Sequence, residues 1–191
     1  MRKYLFLTIL FCSTLVFGQN KYFELTPCGF RSVTDSTKNY IVLNFPDKTK
    51  EDLYKEVLAW TNKNYGSGEN TIRTINNENI SINSISYNDI KVASNAAIYC
   101  HMEYQLNISF KDDKIKIDAP IFELTPKVLL RCDKGKSNGF FGQYCFYQFV
   151  NNSYEAKRYA YGINCINDFF NKKTDSIKTQ IETKNGTDDN W

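Results

Sequence analysis

His101 and Glu103 are the two residues of this 191-residue chain whose types and spacing best fit general acid–base chemistry. They flank Met102 in a segment of alternating apolar and polar residues, which predicts a β-strand with both side chains on one face, about 7 Å apart. An imidazole beside a carboxylate can act as a general base with its orienting group. A single histidine on a polar strand face is more often an ordinary exposed residue, and we expect that role here.

Other catalytic patterns are missing from the sequence. There is no GxSxG nucleophile motif, no P-loop and no Rossmann glycine pattern. Cys100 and His101 cannot form a Cys–His pair, because adjacent strand residues point to opposite faces. The sequence therefore predicts a protein that is not an enzyme and holds no cofactor. An envelope hydrolase with a site near His101 and Glu103 is the alternative.

The six cysteines favour disulfide chemistry over metal binding. A structural zinc site needs about four close thiolate or imidazole ligands, whereas this chain has no CxxC pair and one histidine. We therefore expect no metal site. Cys132 and Cys145 flank a segment containing three glycines, and they could close a disulfide bond if the protein is exported.

The first eighteen residues have the pattern of a secretory signal peptide. Arg2 and Lys3 precede an uncharged, largely apolar run, and small or modest residues lead to a cleavage site between Gly18 and Gln19. The apolar run is shorter than the roughly 20 residues that span a bilayer. We expect a protein exported to the periplasm or secreted, with no stable membrane insertion after cleavage.

The charge of the mature chain argues against a nucleic-acid partner. Loss of residues 1–18 removes Arg2 and Lys3 and no acidic residue, so the formal net charge falls from +3 to +1. Nucleic-acid binding requires a concentrated basic patch. No such patch is visible in the sequence.

The first half of the mature chain reads as a strand, a helix and two short strands. Residues 39–45 form an apolar run, and Thr49 with Asp52 predicts a capped helix over 50–63. Strands over 71–75 and 80–83 flank Asn76-Asn77. Ile80 and Ile82 share one parity while Ile85 and Tyr87 share the other, which predicts a bulge or strand end near Ser84.

Residues 98–121 predict a hairpin whose register can be derived from the apolar pattern. The even positions of 98–110 are apolar and the odd ones polar, and Ile115, Ile117, Ala119 and Ile121 continue an apolar alternation. With Asp112-Asp113 as the turn, the predicted cross-strand pairs are Lys111–Lys114, Phe110–Ile115, Ile108–Ile117 and Leu106–Ala119. Only the like-charged lysine pair is unfavourable. Pro120 marks an edge or a strand end.

The remaining chain is rich in cysteine and aromatic residues and then becomes helical. Within the Cys/aromatic segment 126–161, we interpret the aromatic stretch 140–161 as a small satellite core, with a partner-binding surface as the alternative. Apolar spacing predicts a closing helix over 162–183, and residues 184–191 read as a disordered polar tail.

The order of elements predicts one α+β domain over residues 19–183. Its order is β-α-β-β-β-β-α, with an antiparallel curved sheet and two helices on one face.

This order, together with several local patterns, resembles an uncharacterised family of exported bacterial proteins, the domain of unknown function 4468. The matching features are Leu53-Tyr54 with Trp60, the 80–87 strand, the segment 104–117 and the ending Asp189-Asn190-Trp191. The resemblance covers about residues 28–125 and the last helix, and it implies a TATA-box-binding-protein-like (TBP-like) fold. It implies no activity and no DNA binding, because fold does not determine function.

The polar face of the 98–110 strand is the candidate ligand face, formed by Tyr99, His101, Glu103 and Gln105. We therefore predict a non-enzymatic binding or assembly module of the bacterial envelope, which docks a protein or glycan partner. The sequence assigns no oligomeric state.

Overall fold

The part of the chain that the structure describes forms a six-stranded antiparallel sheet, a separate two-stranded hairpin and two helices. The computed structural model describes residues 20–26, 28–66, 71–91, 99–126 and 153–183; of 88–91, 99–100, 125–126 and 153–159 it describes the backbone. The strands are β1 (Phe23–Thr26), β2 (Gly29–Ser32), β3 (Tyr40–Asn44), β4 (Thr71–Ile75), β5 (Asn79–Lys91), β6 (Tyr99–Lys111), β7 (Lys114–Asp118) and β8 (Ile121–Pro126). The helices are α1 (Lys50–Tyr65) and α2 (Ser153–Thr183). The predicted α+β class with an antiparallel sheet and two helices is confirmed.

Helix α1 forms where the capping pattern predicts it and ends two residues later than expected. Thr49 Oγ1 accepts a hydrogen bond from the backbone N–H of Asp52 at 3.2 Å and donates to the Asp52 carboxylate at 2.7 Å. The hydroxyl–carboxylate bond is the main cause that lowers the pKa of Asp52. Leu53, Val57 and Trp60 bury the apolar face of the helix.

Strand β6 lies at the centre of the sheet. The strand order is β3-β7-β6-β5-β4, and β8 pairs with β6 on the same edge as β7. The β6–β7 register confirms the predicted pairs Lys111–Lys114, Phe110–Ile115 and Ile108–Ile117. The turn between these strands places Asp113 at φ 63°, a conformation that aspartate tolerates.

The predicted pair Leu106–Ala119 is wrong, because the register changes after Ile117. Strand β7 ends at Asp118, and β8 resumes pairing with Gln105 opposite Ile121, one residue out of step. Pro120 lies at this break, in agreement with the predicted strand end. Because of this shift, the side chain of Ile121 points to the face of the sheet opposite the core, where it is 61% exposed.

The predicted bulge near Ser84 is also wrong. The β5–β6 ladder is continuous from Asn79 to Ser86, and its irregularity lies between Ser86 and Ile90. Ser84 and Ser86 are buried, opposite the large core residues Tyr104 and Met102. Small side chains fit at Ser84 and Ser86 because the side chains of Tyr104 and Met102 fill the space beside them. Ile85 and Tyr87 consequently lie on the other face of the sheet.

Helix α2 begins before the predicted position 162 and ends at the predicted position 183. The C-terminal end of the supposed satellite core, residues 153–161, is therefore the first part of this helix. Ile166, Phe170, Ile177 and Ile181 form its buried stripe. Trp60 Nε1 of α1 donates to Ser176 Oγ at 2.9 Å, which joins the two helices on one side of the sheet. Neither described helix is long and apolar enough to cross a membrane.

An N-terminal hairpin, β1–β2, packs against α2 and was not predicted. Asn171 Oδ1 accepts hydrogen bonds from the backbone N–H groups of Tyr22 and Phe23, at 2.8 and 2.9 Å. Asn167 Oδ1 accepts from the N–H of Leu25 at 2.8 Å. Two asparagines one helical turn apart thus provide hydrogen-bond acceptors for the backbone N–H groups along the edge of β1.

Several predictions fall outside the described residues. These are the signal peptide with its Gly18–Gln19 cleavage site, the Cys132–Cys145 disulfide and the polar tail over 184–191.

Candidate functional site

The two helices cover one face of the six-stranded sheet, and no described element packs on the other, which we call the open face. Its position follows from strand alternation: Met102, Tyr104, Leu106, Ile108 and Phe110 of β6 point into the core, so their odd-numbered neighbours point away. Cross-strand partners share a face, which extends the assignment to the other strands. Among its residues are Tyr40, Val42, Arg73, Ile75, Asn79, Ser81, Asn83, Ile85, Tyr87, His101, Glu103, Gln105, Asn107, Ser109, Lys111, Lys114, Lys116, Ile121 and Glu123.

Three of the four predicted ligand-face residues are on the open face. His101, Glu103 and Gln105 follow one another along β6, and Glu103 is exposed. The side chain of Tyr99 lies outside the described part of the chain.

Side-chain hydrogen bonds link the polar residues in the middle of the open face. Gln105 Nε2 donates to Ser81 Oγ at 3.1 Å across the β5–β6 ladder. Further along the same ladder, Ser109 Oγ donates to Asn79 Oδ1 at 2.6 Å. These partners fix the rotamers of the central side chains and reduce their need for water.

A shallow groove of about 390 Å³ runs beside these residues, between β5, β6 and β8. Glu103 and Glu123, which are directly opposite each other on β6 and β8, line it together with Asn83, Gln105 and Ile121. Like charges in a directly opposed pair repel. The groove therefore presents negative charge next to amide groups and an exposed isoleucine.

His101 contacts an aromatic ring, and its Nδ1 makes no hydrogen bond to Glu103. Its ring contacts the Tyr87 ring edge-on, with centroids 5.1 Å apart. Its buried Nδ1 has no hydrogen-bond partner among the described residues, so Glu103 does not orient the imidazole through that atom. Within the described ranges, no three His, Cys, Asp or Glu side chains group closely enough to hold a metal ion.

The apolar part of this surface was not predicted from the sequence. Exposed Val42, Ile75, Tyr87 and Ile121 surround the polar centre, with exposed fractions of 43, 58, 52 and 61%. The apolar alternation predicts Ile121 on the core side, and the parity of Ile85 and Tyr87 predicts a bulge or a strand end near Ser84. The proline directly before Ile121 was the one available signal that the facing reverses there.

Comparison with known proteins shows a fold but no activity. Residues 40–123 match the model of a domain of unknown function, DUF4468, with TBP-like fold. A TBP-like protein from Parabacteroides distasonis is 14% identical with a TM-score of 0.53, over 75% of this chain and 90% of that one. A DUF4468 family protein from Bacteroides ovatus is 10% identical with a TM-score of 0.55, over 80% of this chain and 87% of that one.

No functionally curated protein matches the chain. The resemblance drawn from the core and turn motifs is confirmed, because the matched range contains β3, α1, β4 to β7 and the first half of β8. The chain therefore has a TBP-like fold, and its residues 40–123 are similar to the DUF4468 family.

Proposed function

We propose that this protein is a non-enzymatic binding or assembly module of the bacterial envelope and that the open face is its docking surface. The observation that carries the proposal is the location of exposed apolar side chains. Six large hydrophobic residues are exposed within the described ranges, and four of them, Val42, Ile75, Tyr87 and Ile121, lie on this one face. Apolar side chains gathered on one surface favour association with a partner.

The polar centre of the open face suits docking as well. The Gln105–Ser81 and Ser109–Asn79 bonds are already made, so covering them costs less than burying unpaired polar groups. Both a protein surface and a glycan can bind amide and hydroxyl groups. The surrounding isoleucine and valine side chains favour a protein.

Site-specific photocrosslinking tests the docking surface. A photoreactive residue at Ile121 should capture a stoichiometric partner in cells that express the full chain. The same residue at Val33, which is 45% exposed just beyond β2, is the matched control and should capture none. Equal capture at both positions, or none at Ile121, would contradict the proposal.

A hydrolase remains the second candidate, since Glu103, Glu123 and His101 lie near one groove. That function requires His101→Ala and Glu103→Ala each to abolish turnover of an envelope substrate while thermal stability stays near that of the wild type. The docking proposal expects both substitutions to be mild unless they disrupt a measured contact. A double variant that keeps all turnover would eliminate the hydrolase.

A further inference from the structure

The groove of the open face is lined by two neighbouring rows of side chains that cross strands β5, β6 and β8. The rows are Ile85–Glu103–Glu123 and Asn83–Gln105–Ile121. In such rows the Cβ atoms of directly opposite residues are about 5 Å apart, and successive rows are about 7 Å apart along the strand. One side chain of a partner could therefore contact both rows at once.

The two glutamates of the groove carry charge that is not neutralised. Glu103 and Glu123 are exposed and directly opposite each other. Neither carboxylate forms an ion pair or a hydrogen bond with a residue that the structure describes. Like charges in this arrangement repel each other. A positive group bound between them would remove that repulsion and form two new ion pairs.

Gln105 adds a hydrogen-bond acceptor of fixed orientation to the groove. Its Nε2 donates to Ser81 Oγ at 3.1 Å and to Asn107 Oδ1 at 3.4 Å, so both amide hydrogens are used within the sheet. The Gln105 Oε1 accepts no hydrogen bond from any described residue. The two carboxylates and this amide oxygen are thus three acceptors in one groove, and they require a group with donors in several directions.

We infer that the groove binds an arginine side chain of a protein partner. This inference rests on the proposed docking role of the open face and names the chemistry that the partner carries. A guanidinium group is planar, always charged and has five N–H donors and no acceptor, whereas the ammonium group of lysine is a compact charge with three donors. The guanidinium group therefore matches two carboxylates and an amide oxygen better.

The apolar side chains of the groove fit the rest of an arginine side chain. Ile121 is 61% exposed and lies beside Gln105, and half-buried Ile85 lies beside Glu103. The aliphatic stem of arginine packs on apolar surface while its charged end reaches polar groups. One residue type thus accounts for the acidic, amide and apolar parts of the groove.

Titration with small arginine analogues tests the groove directly. In nuclear magnetic resonance spectra of protein purified from full-chain expression, Nα-acetyl-arginine methylamide should shift the backbone amide signals of residues 83, 103, 105 and 123. The citrulline analogue has the same shape without the charge and should bind at least about tenfold more weakly. The lysine analogue has the charge with fewer donors and should bind at least about threefold more weakly.

Removal of the two charges tests which residues bind the arginine analogue. Glu103→Gln/Glu123→Gln preserves side-chain size and should weaken binding by at least about tenfold. Because the substitution also removes the repulsion between the carboxylates, thermal unfolding should occur no earlier than in the wild type. The control Glu24→Gln/Glu51→Gln makes the same charge change at exposed positions outside the open face and should bind like the wild type.

The same two variants connect the groove with the partner in cells. Photocrosslinked capture at Ile121 should be lost in Glu103→Gln/Glu123→Gln and retained in the Glu24→Gln/Glu51→Gln control. Undiminished capture by the first variant would overturn the inference.

The titration and the capture experiment fail in distinguishable ways. Equal binding of arginine and either analogue, or undiminished arginine binding by Glu103→Gln/Glu123→Gln, would overturn the inference. No response to arginine, together with capture of a partner at Ile121, would overturn the arginine site and leave the docking proposal intact. No capture at Ile121 would overturn the docking proposal and, with it, the inferred partner.

Discussion

At the residue scale, Asn171 is a buried polar residue whose side chain joins α2 to β1. It is 2% exposed, and besides its two accepted bonds its Nδ2 donates to the carbonyl of Phe23 at 3.0 Å. A side-chain amide carries the same donor and acceptor as a peptide group, so it can pair with a strand edge. Asn171 thereby substitutes for a neighbouring strand of β1.

Replacing Asn171 with alanine should lower the free energy of unfolding by about 3 kcal/mol, because backbone groups of Tyr22 and Phe23 lose their partners in a buried position. Asn164→Ala, at an exposed position of the same helix, should change it by no more than about 0.5 kcal/mol. Urea unfolding measures both values. A loss below about 1 kcal/mol for Asn171→Ala would show that β1 is held by other contacts.

Tyr22 illustrates how the same segment is anchored at its surface. Its hydroxyl donates to Asp175 Oδ1 at 2.9 Å, and burial, followed by this bond, raises the pKa of Tyr22. Asn167, Asn171 and Asp175 are spaced by four residues. One stripe of α2 therefore holds residues 20–25. The sequence shows these three residues only as polar positions, and a polar helical stripe is usually solvated.

At the element scale, the β6–β7 turn closes the start of α1. Asp112 Oδ1 accepts from the N–H of Lys50, and Asp113 Oδ1 accepts from the N–H of Asp47, both at 2.9 Å. The backbone N–H of Asp113 also donates to the Lys48 carbonyl at 2.9 Å. The sequence predicted this turn correctly but not its partner, since the two elements are more than sixty residues apart.

Replacing Asp112 with alanine should destabilise the protein by about 1 kcal/mol, because the first turn of α1 loses an acceptor and a favourable negative charge. Asp112→Asn retains an acceptor without the charge and should lose less. Thermal unfolding followed by circular dichroism separates the two variants. Equal losses of stability in the two variants would show that the whole effect comes from the charge of Asp112. No loss of stability in either variant would show that the turn contributes nothing to α1.

At the scale of the whole molecule, strand β6 is paired along both of its edges and buried on one face. It pairs with β5 on one edge and with β7 and β8 on the other, and both helices lie over its buried side. Strand β4 pairs with β5 alone among the described strands, and most of its residues are exposed. Local opening should therefore begin at β4 and reach β6 last.

Hydrogen exchange followed by mass spectrometry tests this order. Peptides covering residues 102–110 should exchange at rates set by global unfolding, and those covering 71–75 should exchange faster by orders of magnitude. Equal protection of the two strands would show that the sheet opens as a single unit.

The sequence by itself determined the elements and their pairing wherever local periodicity controls them. The boundaries of α1, the turn at Asp112-Asp113 and the Phe110–Ile115 register all follow from apolar spacing and turn chemistry within a few residues. The family resemblance depended on the same local patterns.

Only the tertiary structure decided which residues share the open face and which hold distant segments together. Ile121 is exposed because one residue is inserted at Ala119–Pro120, and Ser84 is buried because Tyr104 and the helices occupy the space beside it. Such effects depend on volumes and partners contributed by remote parts of the chain. The open face likewise exists only once β7 and β8 have both paired with β6, so it is a property of the assembled sheet.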